Sequence, residues 1–278
     1  SGLATGGNKV RKLEFLIGAA LEAGADCVVT GGAAQSNHSR QTAAAAAAAG
    51  LGCHLALGGE APAQADGNLL LDQIYGAHLH WCGQDRKGER IPDIIAELET
   101  QGARPYLIPY GGSDETGALG FVRAAVELAD QAAGLDVQFR EIVFASSSGG
   151  THAGLIAGAR RCGLTARLRG MAIDPDDPGK APAVIRDLAG RLGTPDADVL
   201  LDEVSLFAGY GEATEAEAGA ILRLARTEGI LLDPVYTGRA FAGLLRRAEE
   251  GSLAGPVLFW HTGGLPALFA GDVGPLLV

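Results

Sequence analysis

The sequence lacks an apolar run long enough to cross a bilayer, and it lacks the pattern of a signal peptide. It also lacks an excess of positive charge, because 22 Lys and Arg stand against 33 Asp and Glu, a formal net charge of -11 at pH 7. This balance argues against broad binding to nucleic acid or anionic membranes, although the site of a small substrate can still be locally positive. We therefore expect neither nucleic acid nor a membrane as a partner.

Cysteine is scarce as well. The four cysteines, Cys27, Cys53, Cys82 and Cys162, form neither a CxxC pair nor a metal-like cluster with histidine, so we expect no metal site. Cys27 and Cys53 lie in apolar, strand-like runs, where a buried and reduced thiol is the ordinary state. Reduced thiols are typical of the cytosol, and we expect a cytoplasmic protein.

An initiating methionine is also absent. The chain opens on Ser1-Gly2-Leu3, directly before a Gly-Gly-Asn-Lys motif, and we expect that a further N-terminal segment precedes it.

What the sequence does contain is a regular alternation of short apolar runs and longer amphipathic stretches. Apolar residues recur three and four apart in the longer stretches, as in Leu13, Leu16 and Ile17, which is typical of helices. Strands alternating with helices in this way predict an α/β fold whose parallel sheets are covered on both faces. The predicted strands are Asp26–Thr30, Cys53–Leu57, His78–Trp81, Pro105–Pro109, Glu141–Ala145, Leu168–Ile173, Val199–Asp202 and Pro256–His261.

A length of 278 residues, 47% of them hydrophobic, suits one large domain or two modest ones. Turn-rich stretches near Tyr110–Gly117 and Asp174–Pro182 are where we expect the chain to cross between two units. We assign residues 23–120 to a small α/β domain, and residues 1–22 together with 121–278 to a large one.

A polar segment that begins Gly31-Gly32 and ends at Arg40 lies between a predicted strand and an alanine-rich helix. Ser36 or Asn37 would cap this helix, and the N–H groups exposed at its start form an anion site. The carboxylate of an amino acid fits such a site, although an ordinary capped helix explains the motif equally well.

A second loop of small residues, from Ala145 to Gly154, also joins a predicted strand to a predicted helix. Its N–H groups and hydroxyls can converge on one phosphate at a helix N-terminus, where the helix dipole favours negative charge. The alternative is a tight turn that merely needs glycine. The loop has neither the GxGxxG spacing of a dinucleotide site nor the Gly-Lys-Ser/Thr ending of a P-loop, which disfavours a nucleotide-binding α/β domain.

A basic cluster, Gly6-Gly7-Asn8-Lys9-Val10-Arg11-Lys12, opens the first predicted helix. Taken alone, such a cluster is usually the solvated face of a helix. Beside a phosphate cradle and a carboxylate cradle, however, a lysine is what a pyridoxal-phosphate enzyme needs. The ε-amine forms the imine with the cofactor, one loop anchors the 5′-phosphate, and the other helix start orients the substrate.

Five motifs then occur in order: Gly-Gly-Asn-Lys-Val-Arg-Lys-Leu-Glu-Phe from Gly6, Gln-Ser-Asn-His from Gln35, Gly-Gly-Thr-His-Ala-Gly-Leu from Gly149, Asp-Pro-Val-Tyr-Thr-Gly from Asp233 and His-Thr-Gly-Gly from His261. Together they resemble the family of D-cysteine desulfhydrases and 1-aminocyclopropane-1-carboxylate (ACC) deaminases. The resemblance covers essentially the whole chain. It implies the tryptophan-synthase-β-like fold, with two open, twisted, parallel-rich sheets, pyridoxal 5′-phosphate (PLP) as cofactor, a small amino acid as substrate and a homodimer.

Carried over residue by residue, the resemblance makes Lys9 the imine lysine and the base at Cα. Asn37 bonds the 3′-oxygen of the cofactor. Ser36, together with Asn37, His38 and neighbouring backbone amides, holds the substrate near the imine. The residues that would bind the phosphate are Ser147, Ser148, Gly149, Gly150 and Thr151.

Tyr210 and Tyr236 look like the two active-site tyrosines of the family, with Tyr210 also touching the substrate. The alternative for both is a core tyrosine with a satisfied hydroxyl.

Two positions discriminate within the family. ACC deaminases typically carry Glu after Asp-Pro-Val-Tyr, facing the pyridine nitrogen, and Leu in His-Leu-Gly-Gly, whereas this chain has Thr237 and Thr262. A carboxylate beside the ring nitrogen keeps it protonated and makes the ring a strong electron sink, which suits a difficult ring opening. An alcohol leaves the ring closer to neutral, which is enough when Cβ carries a good leaving group.

The sequence therefore predicts a PLP-dependent carbon–sulfur lyase that converts D-cysteine to pyruvate, sulfide and ammonia. An L-cysteate sulfo-lyase and an ACC deaminase are the alternatives within the family. Asp174–Pro178 and the loop before Tyr210 depart from the family pattern, which leaves the substrate more open than the cofactor. The non-enzyme alternative is a catalytically silent amino-acid sensor, against which the retention of Lys9 argues.

Overall fold

In the computed structural model, residues 2–85, 88–173, 180–203 and 214–271 are described. Strands occupy all eight predicted positions, with ends shifted by a few residues, and helices lie between most of them, which confirms the α/β class. The strands are β1 (Cys27–Ala33), β2 (Gly52–Gly58), β3 (His78–Trp81), β4 (Pro105–Leu107), β5 (Glu141–Ser146), β6 (Arg167–Ala172), β7 (Leu200–Asp202) and β8 (Val257–Trp260). The helices are α1 (Asn8–Glu22), α2 (Asn37–Ala49), α3 (Gly67–Ile74), α4 (Ile91–Thr100), α5 (Glu115–Gly134), α6 (Gly150–Cys162), α7 (Ala181–Arg191), α8 (Glu215–Glu228) and α9 (Thr237–Glu249).

The strands form two four-stranded sheets with the orders β3-β2-β1-β4 and β7-β6-β5-β8. Every strand pair within these sheets is parallel. In each sheet the second and third strands are added on one side of the first strand, and the fourth is added on its other side. This creates a switch point between β1 and β4 and another between β5 and β8. Ligands of open parallel sheets bind outside the carboxyl ends of the strands at such points.

Helices cover both faces of each sheet. Since successive side chains of a strand point to opposite faces, neighbouring residues pack against different helices. On β2, Leu55 and Leu57 pack into the cluster that contains α1 and α2, whereas Ala56 packs against α4 on the other face. In the second sheet, Phe144 of β5 packs against α5 and α6, while Val143 packs against Ala240 of α9. Among the described residues, no helix is both long and apolar enough to span a membrane.

Helix α1 is held between α2 and α5. Leu13 and Leu16 on α1 belong to the apolar cluster of the first sheet, and Gly120 of α5 lies directly against the backbone of α1 at Arg11. The division into a small domain (23–120) and a large one (1–22 with 121–278) stays a prediction.

The contact between Gly120 and α1 leads to a test of stability. A Cβ at Gly120 would overlap the carbonyl oxygen of Arg11, whereas a Cβ at Gly18, on the exposed side of α1, would meet nothing within 4 Å. We expect Gly120→Ala to lower the free energy of unfolding by about 1–3 kcal/mol. Gly18→Ala should raise it by about 0.5–1 kcal/mol, because alanine favours the helix. Urea unfolding of both variants checks this, and a Gly120→Ala midpoint at or above that of Gly18→Ala contradicts it.

Candidate active site

A cavity lies where the loops that follow β1, β4, β5 and β8 converge on the start of α1, so both switch points face it. Its empty volume is about 650 Å³ with the open mouth included. The lining residues are Asn8, Lys9, Ser36, Asn37, His38, Tyr110, Gly111, Ala145, Ser146, Ser147, Ser148, Gly149, Thr151, His152, Tyr236, Thr262 and Gly263.

Lys9 lies in the first turn of α1, and its Nζ is 3.4 Å from Asn8 Oδ1. Its pKa is lowered to about 8, chiefly because burial disfavours the charged amine and secondly because the Arg40 cation is near, while Asp233 opposes the shift. A substantial fraction of the amine is therefore neutral near pH 8, and the neutral amine is the form that attacks a carbonyl.

The turn before Lys9 is packed tightly against the loop after β8. The amide of Asn8 donates to the carbonyl oxygen of Thr262 at 2.9 Å. Gly263 has a φ of +93°, and a Cβ there would lie 2.5 Å from Gly7 Cα, so only glycine fits this approach. The Gly-Gly pair of the last motif thereby brings Thr262 to the cavity wall beside Lys9.

Asn37 begins α2 with its side-chain oxygen fully used. Oδ1 accepts from Arg40 Nη1 at 3.0 Å and from Asn68 Nδ2 at 3.1 Å. Both lone pairs are thus occupied, and the NH₂ group is the part of this amide left to donate to a ligand in the cavity.

Ser36 and His38 flank Asn37 on the same turn. Ser36 Oγ caps α2 by accepting from the amide of Ser39 at 3.2 Å, which leaves its hydroxyl proton for another acceptor. Nε2 of His38 lies 2.8 Å from Thr30 Oγ1. The pKa of His38 is lowered well below its usual value by burial and by the Lys9 and Lys12 cations, so its ring is neutral.

The loop after β5 forms a cup at the start of α6. Gly149, with a φ of +88°, precedes the helix and has no side chain with which to cap it, while Ser113 Oγ accepts from the amide of Gly150 at 3.2 Å. Ser147, Ser148 and Thr151 bring hydroxyls to the same end, and Thr151 Oγ1 accepts from Asn8 Nδ2 at 3.0 Å. A helix start surrounded by hydroxyl donors fits a phosphate.

A buried lysine lies behind this cup. Lys12 is 1% exposed, and its Nζ donates to the carbonyl of Gly111 at 2.9 Å and to Ser113 Oγ at 3.0 Å. Ser113 Oγ is in turn 2.8 Å from Ser148 Oγ and accepts from the amide of Gly150. Burial, with Lys9 adding to it, holds the pKa of Lys12 well below its usual value, and a dianion bound in the cup would favour the charged form.

The two discriminating threonines lie in different places. Thr262 lines the cavity, whereas Thr237 does not. The Thr237 hydroxyl is fully buried, where it donates to Asp233 Oδ1 at 2.6 Å and accepts from the amide of Asp233 at 2.8 Å. Tyr236 lines the cavity beside Thr262, while Tyr210 lies outside the described residues, as does Asp174–Pro178.

Sequence reasoning missed several residues of the cavity wall. Tyr110 follows β4 and lines the cavity, and Ser113 lies behind the wall with its Oγ 2.8 Å from Ser148 Oγ. Ser146 and His152 flank the phosphate cup, with Ser146 Oγ 3.2 Å from His152 Nδ1. Tyr110 and Ser113 lie in the turn-rich stretch that follows a predicted strand. Because the carboxyl ends of parallel strands meet at one edge of a sheet, this position could have indicated that both residues lie near the site.

A protein family described as pyridoxal-phosphate dependent enzymes matches residues 1–263. The chain belongs to this family. D-cysteine desulfhydrase of Yersinia enterocolitica is 45% identical over 96% of this chain and 85% of its own length, and that of Klebsiella pneumoniae is 43% identical over the same shares. Among solved structures, the crystal structure of an ACC deaminase homologue has a TM-score of 0.88 at 40% identity and covers 96% of this chain and 83% of that one. The protein is therefore a PLP-dependent enzyme with the fold that the five motifs imply.

Proposed function

We propose that this enzyme catalyses α,β-elimination from D-cysteine, with sulfide, ammonia and pyruvate as products. The observation that carries the proposal is that a lysine with a pKa of about 8 shares one cavity with a hydroxyl-rich helix start whose N-cap residue is a glycine. The D-cysteine desulfhydrases that resemble the chain over nearly its whole length support the choice of substrate.

In this proposal Lys9 carries the cofactor, the cup of Ser147, Ser148, Gly149, Gly150 and Thr151 holds its phosphate, and the Asn37 amide donates to its 3′-oxygen. When bound, PLP supplies an electron sink that stabilises the negative charge left on Cα when a proton is lost. Thr262 lies on the wall where its hydroxyl would face the ring nitrogen. Thr237 is proposed to affect the cofactor through its hydrogen bonds to Asp233 and to the carbonyl of Gly263, the neighbour of Thr262.

The start of α2 is proposed to hold the substrate. A carboxylate is attracted by the exposed N–H groups and by the positive end of the helix dipole. Ser36 can donate its hydroxyl proton to the same carboxylate, because its oxygen already accepts from Ser39. His38 is neutral and adds no charge there.

The neutral amine of Lys9 would be the base that removes the Cα proton of the substrate. The electron pair of the Cα–H bond forms the Cα=Cβ double bond, and sulfur leaves Cβ with the pair of the Cβ–S bond. Tyr236 and Tyr210 are proposed to donate hydrogen bonds from their hydroxyls to the departing sulfur. The 2-aminoacrylate that is released hydrolyses to pyruvate and ammonia.

Alternative reactions are separated by their products. D-cysteine, L-cysteine, L-cysteate and ACC should each be supplied to the PLP-loaded protein, with pyruvate, sulfide, sulfite and 2-oxobutyrate measured. Fastest pyruvate and sulfide release from D-cysteine supports the proposal. Sulfite from L-cysteate or 2-oxobutyrate from ACC at a higher rate overturns it, and no turnover of any of them favours a silent sensor.

We also propose that the enzyme works as a cytoplasmic homodimer. All four cysteines are free, which suits a reducing compartment. Light scattering of the purified protein tests the dimer, and a monomer mass for the active enzyme contradicts it.

A test of the phosphate cup follows from Thr151. Since its oxygen accepts from Asn8, its hydroxyl proton can be donated to the cofactor phosphate. Thr151→Val removes a hydrogen bond to a dianion worth about 1.5–3 kcal/mol, so the PLP dissociation constant should rise by about tenfold or more. The rate at saturating PLP should change much less. Thr100→Val, on the exposed end of α4, is the control, and equal PLP affinity of the two variants refutes the assignment.

A further inference from the structure

Arg40 lies behind the cavity wall and is completely buried. Its Nη1 donates to Asn37 Oδ1 at 3.0 Å and to Asn68 Oδ1 at 2.6 Å, and its Nη2 donates to the carbonyl oxygen of Gly6 at 3.0 Å. One planar guanidinium therefore ties the Asn37 amide to the turn that carries Lys9.

The next residue on α2 grips the other side of the same turn. Gln41 Oε1 accepts from the amide of Val10 at 2.9 Å, and Gln41 Nε2 donates to the carbonyl of Asn37 at 2.9 Å. Lys9 thus lies between two attachments to α2, one at Gly6 and one at Val10. Any change in the position of α2 is transmitted to Asn37 and to Lys9 together.

A negative charge near a buried guanidinium favours its charged form, and Asp72 of α3 is the group that exerts the largest such effect on Arg40. Asp72 is fully buried, and neither of its carboxylate oxygens has a hydrogen-bond partner among the described residues. Burial raises the pKa of Asp72 to about 8, an effect that Arg40 opposes, and Asp72 in turn favours the charged form of Arg40. Taking a guanidinium out of water costs free energy, so the complete burial of Arg40 points to a role other than stability.

We propose that Arg40 is a positioning residue of the reaction, which fixes the Asn37 amide with its NH₂ toward the cofactor and holds the Lys9 turn in register with it. The hydrogen bonds to Asn37, Asn68 and Gly6 keep Arg40 in place, and Asp72 acts on it only through its charge. The inference rests on the proposed roles of Lys9 and Asn37 toward PLP, and it does not depend on which amino acid is the substrate.

The charge and the shape of Arg40 can be separated by substitution. Arg40→Gln removes both, whereas Arg40→Lys keeps a positive charge but loses the planar fork that reaches three acceptors. The charged groups around Lys9 are Arg40, which lowers its pKa, Asp233, which raises it, and Lys12, whereas His38 is neutral. Of these, Arg40 is the largest contributor that lowers the pKa of Lys9 after burial.

The experiment measures the PLP dissociation constant, the visible absorption band of the bound cofactor, and the pH dependence of PLP attachment to the cofactor-free protein. We expect Arg40→Gln to weaken PLP by about tenfold or more, to shift the absorption band, and to move the attachment midpoint from about 8 toward the ordinary pKa of lysine. Arg40→Lys should keep the midpoint but show the same loss of affinity and the same spectral shift. Asp72→Asn should give a smaller loss.

Arg123→Gln, on the exposed face of α5, is the control and should match the wild type. A folded Arg40→Gln variant with wild-type affinity and spectrum overturns the proposal. Asn68→Ala provides a second route, because it removes both an acceptor of the Arg40 guanidinium and one of the two donors to Asn37 Oδ1, while the Arg40 side chain itself is kept. Unchanged affinity and spectrum in Asn68→Ala overturn the proposal whether or not Arg40→Gln folds. Because these readouts need no substrate, failure of the D-cysteine assignment leaves them intact.

Discussion

Lys9→Ala should reduce pyruvate formation from D-cysteine by several orders of magnitude. The substitution removes both the covalent attachment of the cofactor and the base at Cα, and the base alone contributes about 10²–10⁴-fold. The visible band that PLP shows when it is linked to a lysine should be absent. Borohydride treatment followed by peptide mass analysis should place the cofactor on Lys9 in the wild type and on no lysine in the variant.

Lys12→Ala is the matched control for this result. Lys12 lies one turn further along α1, where its Nζ is held by Gly111 and Ser113 behind the phosphate cup. The variant should weaken PLP binding yet keep the covalent attachment and the absorption band. Wild-type turnover in Lys9→Ala would show that the assignment is wrong and would turn attention to Lys12 or to Lys87, which lies outside the described residues.

Strand positions were the part of this fold that the sequence predicted well, whereas strand ends were shifted by a few residues. Apolar runs bounded by glycine and polar residues mark strands of parallel sheets, since both faces of those strands are buried. Because the carboxyl ends of such strands meet at one edge, the residues after β1 and β5 could be expected near one another. Ser36, Asn37, Ser148 and Thr151 line one cavity, as this reasoning requires.

Contacts between distant segments were beyond prediction from local patterns. The basic cluster around Lys12, taken alone, predicted a solvated helix face. In the structure α5 and the loop after β4 bury Lys12 under the phosphate cup. Arg40 lies in an alanine-rich helix whose apolar face gives no sign that a guanidinium is enclosed there. Its position depends on Gly6 and Asn68, which are 34 and 28 residues away in the sequence.

Thr237 shows a different limit. The position after Asp-Pro-Val-Tyr predicts a side chain at the pyridine ring, and this stays a prediction; in the structure the Thr237 hydroxyl donates to Asp233. Asp233 accepts from the amides of Val235, Tyr236 and Thr237 at the start of α9. A short alcohol can satisfy this carboxylate because it has a proton to give. The local hydrogen-bond demand of the helix start thereby decides where Thr237 points.

Replacing Thr237 by Glu and Thr262 by Leu should move the enzyme from elimination toward opening of the cyclopropane of ACC. A carboxylate near the ring nitrogen raises the pKa of that nitrogen and makes the ring a stronger electron sink. Thr262→Leu removes a competing hydroxyl from the cavity wall. We expect the double variant to lose D-cysteine elimination and to gain detectable 2-oxobutyrate formation from ACC. The effects should be non-additive, since Thr237 Oγ1 is 3.5 Å from the carbonyl of Gly263, the neighbour of Thr262.

The structure indicates that Thr237→Glu should also lower the stability of the protein. Glu at position 237 would bring a second carboxylate to Asp233 in a fully buried place, so that the two groups repel and one of them takes up a proton. Thr237→Glu alone should therefore unfold at a lower urea concentration than Thr237→Gln, which has the same size and no charge. Only the Glu variant should then acquire ACC activity.

Both activities are to be measured in the parent, the two single variants and the double variant, with PLP occupancy checked in each. If the parent already opens ACC as fast as it eliminates from D-cysteine, the two threonines do not set the reaction, although the assignments of Lys9 and the phosphate cup would stand.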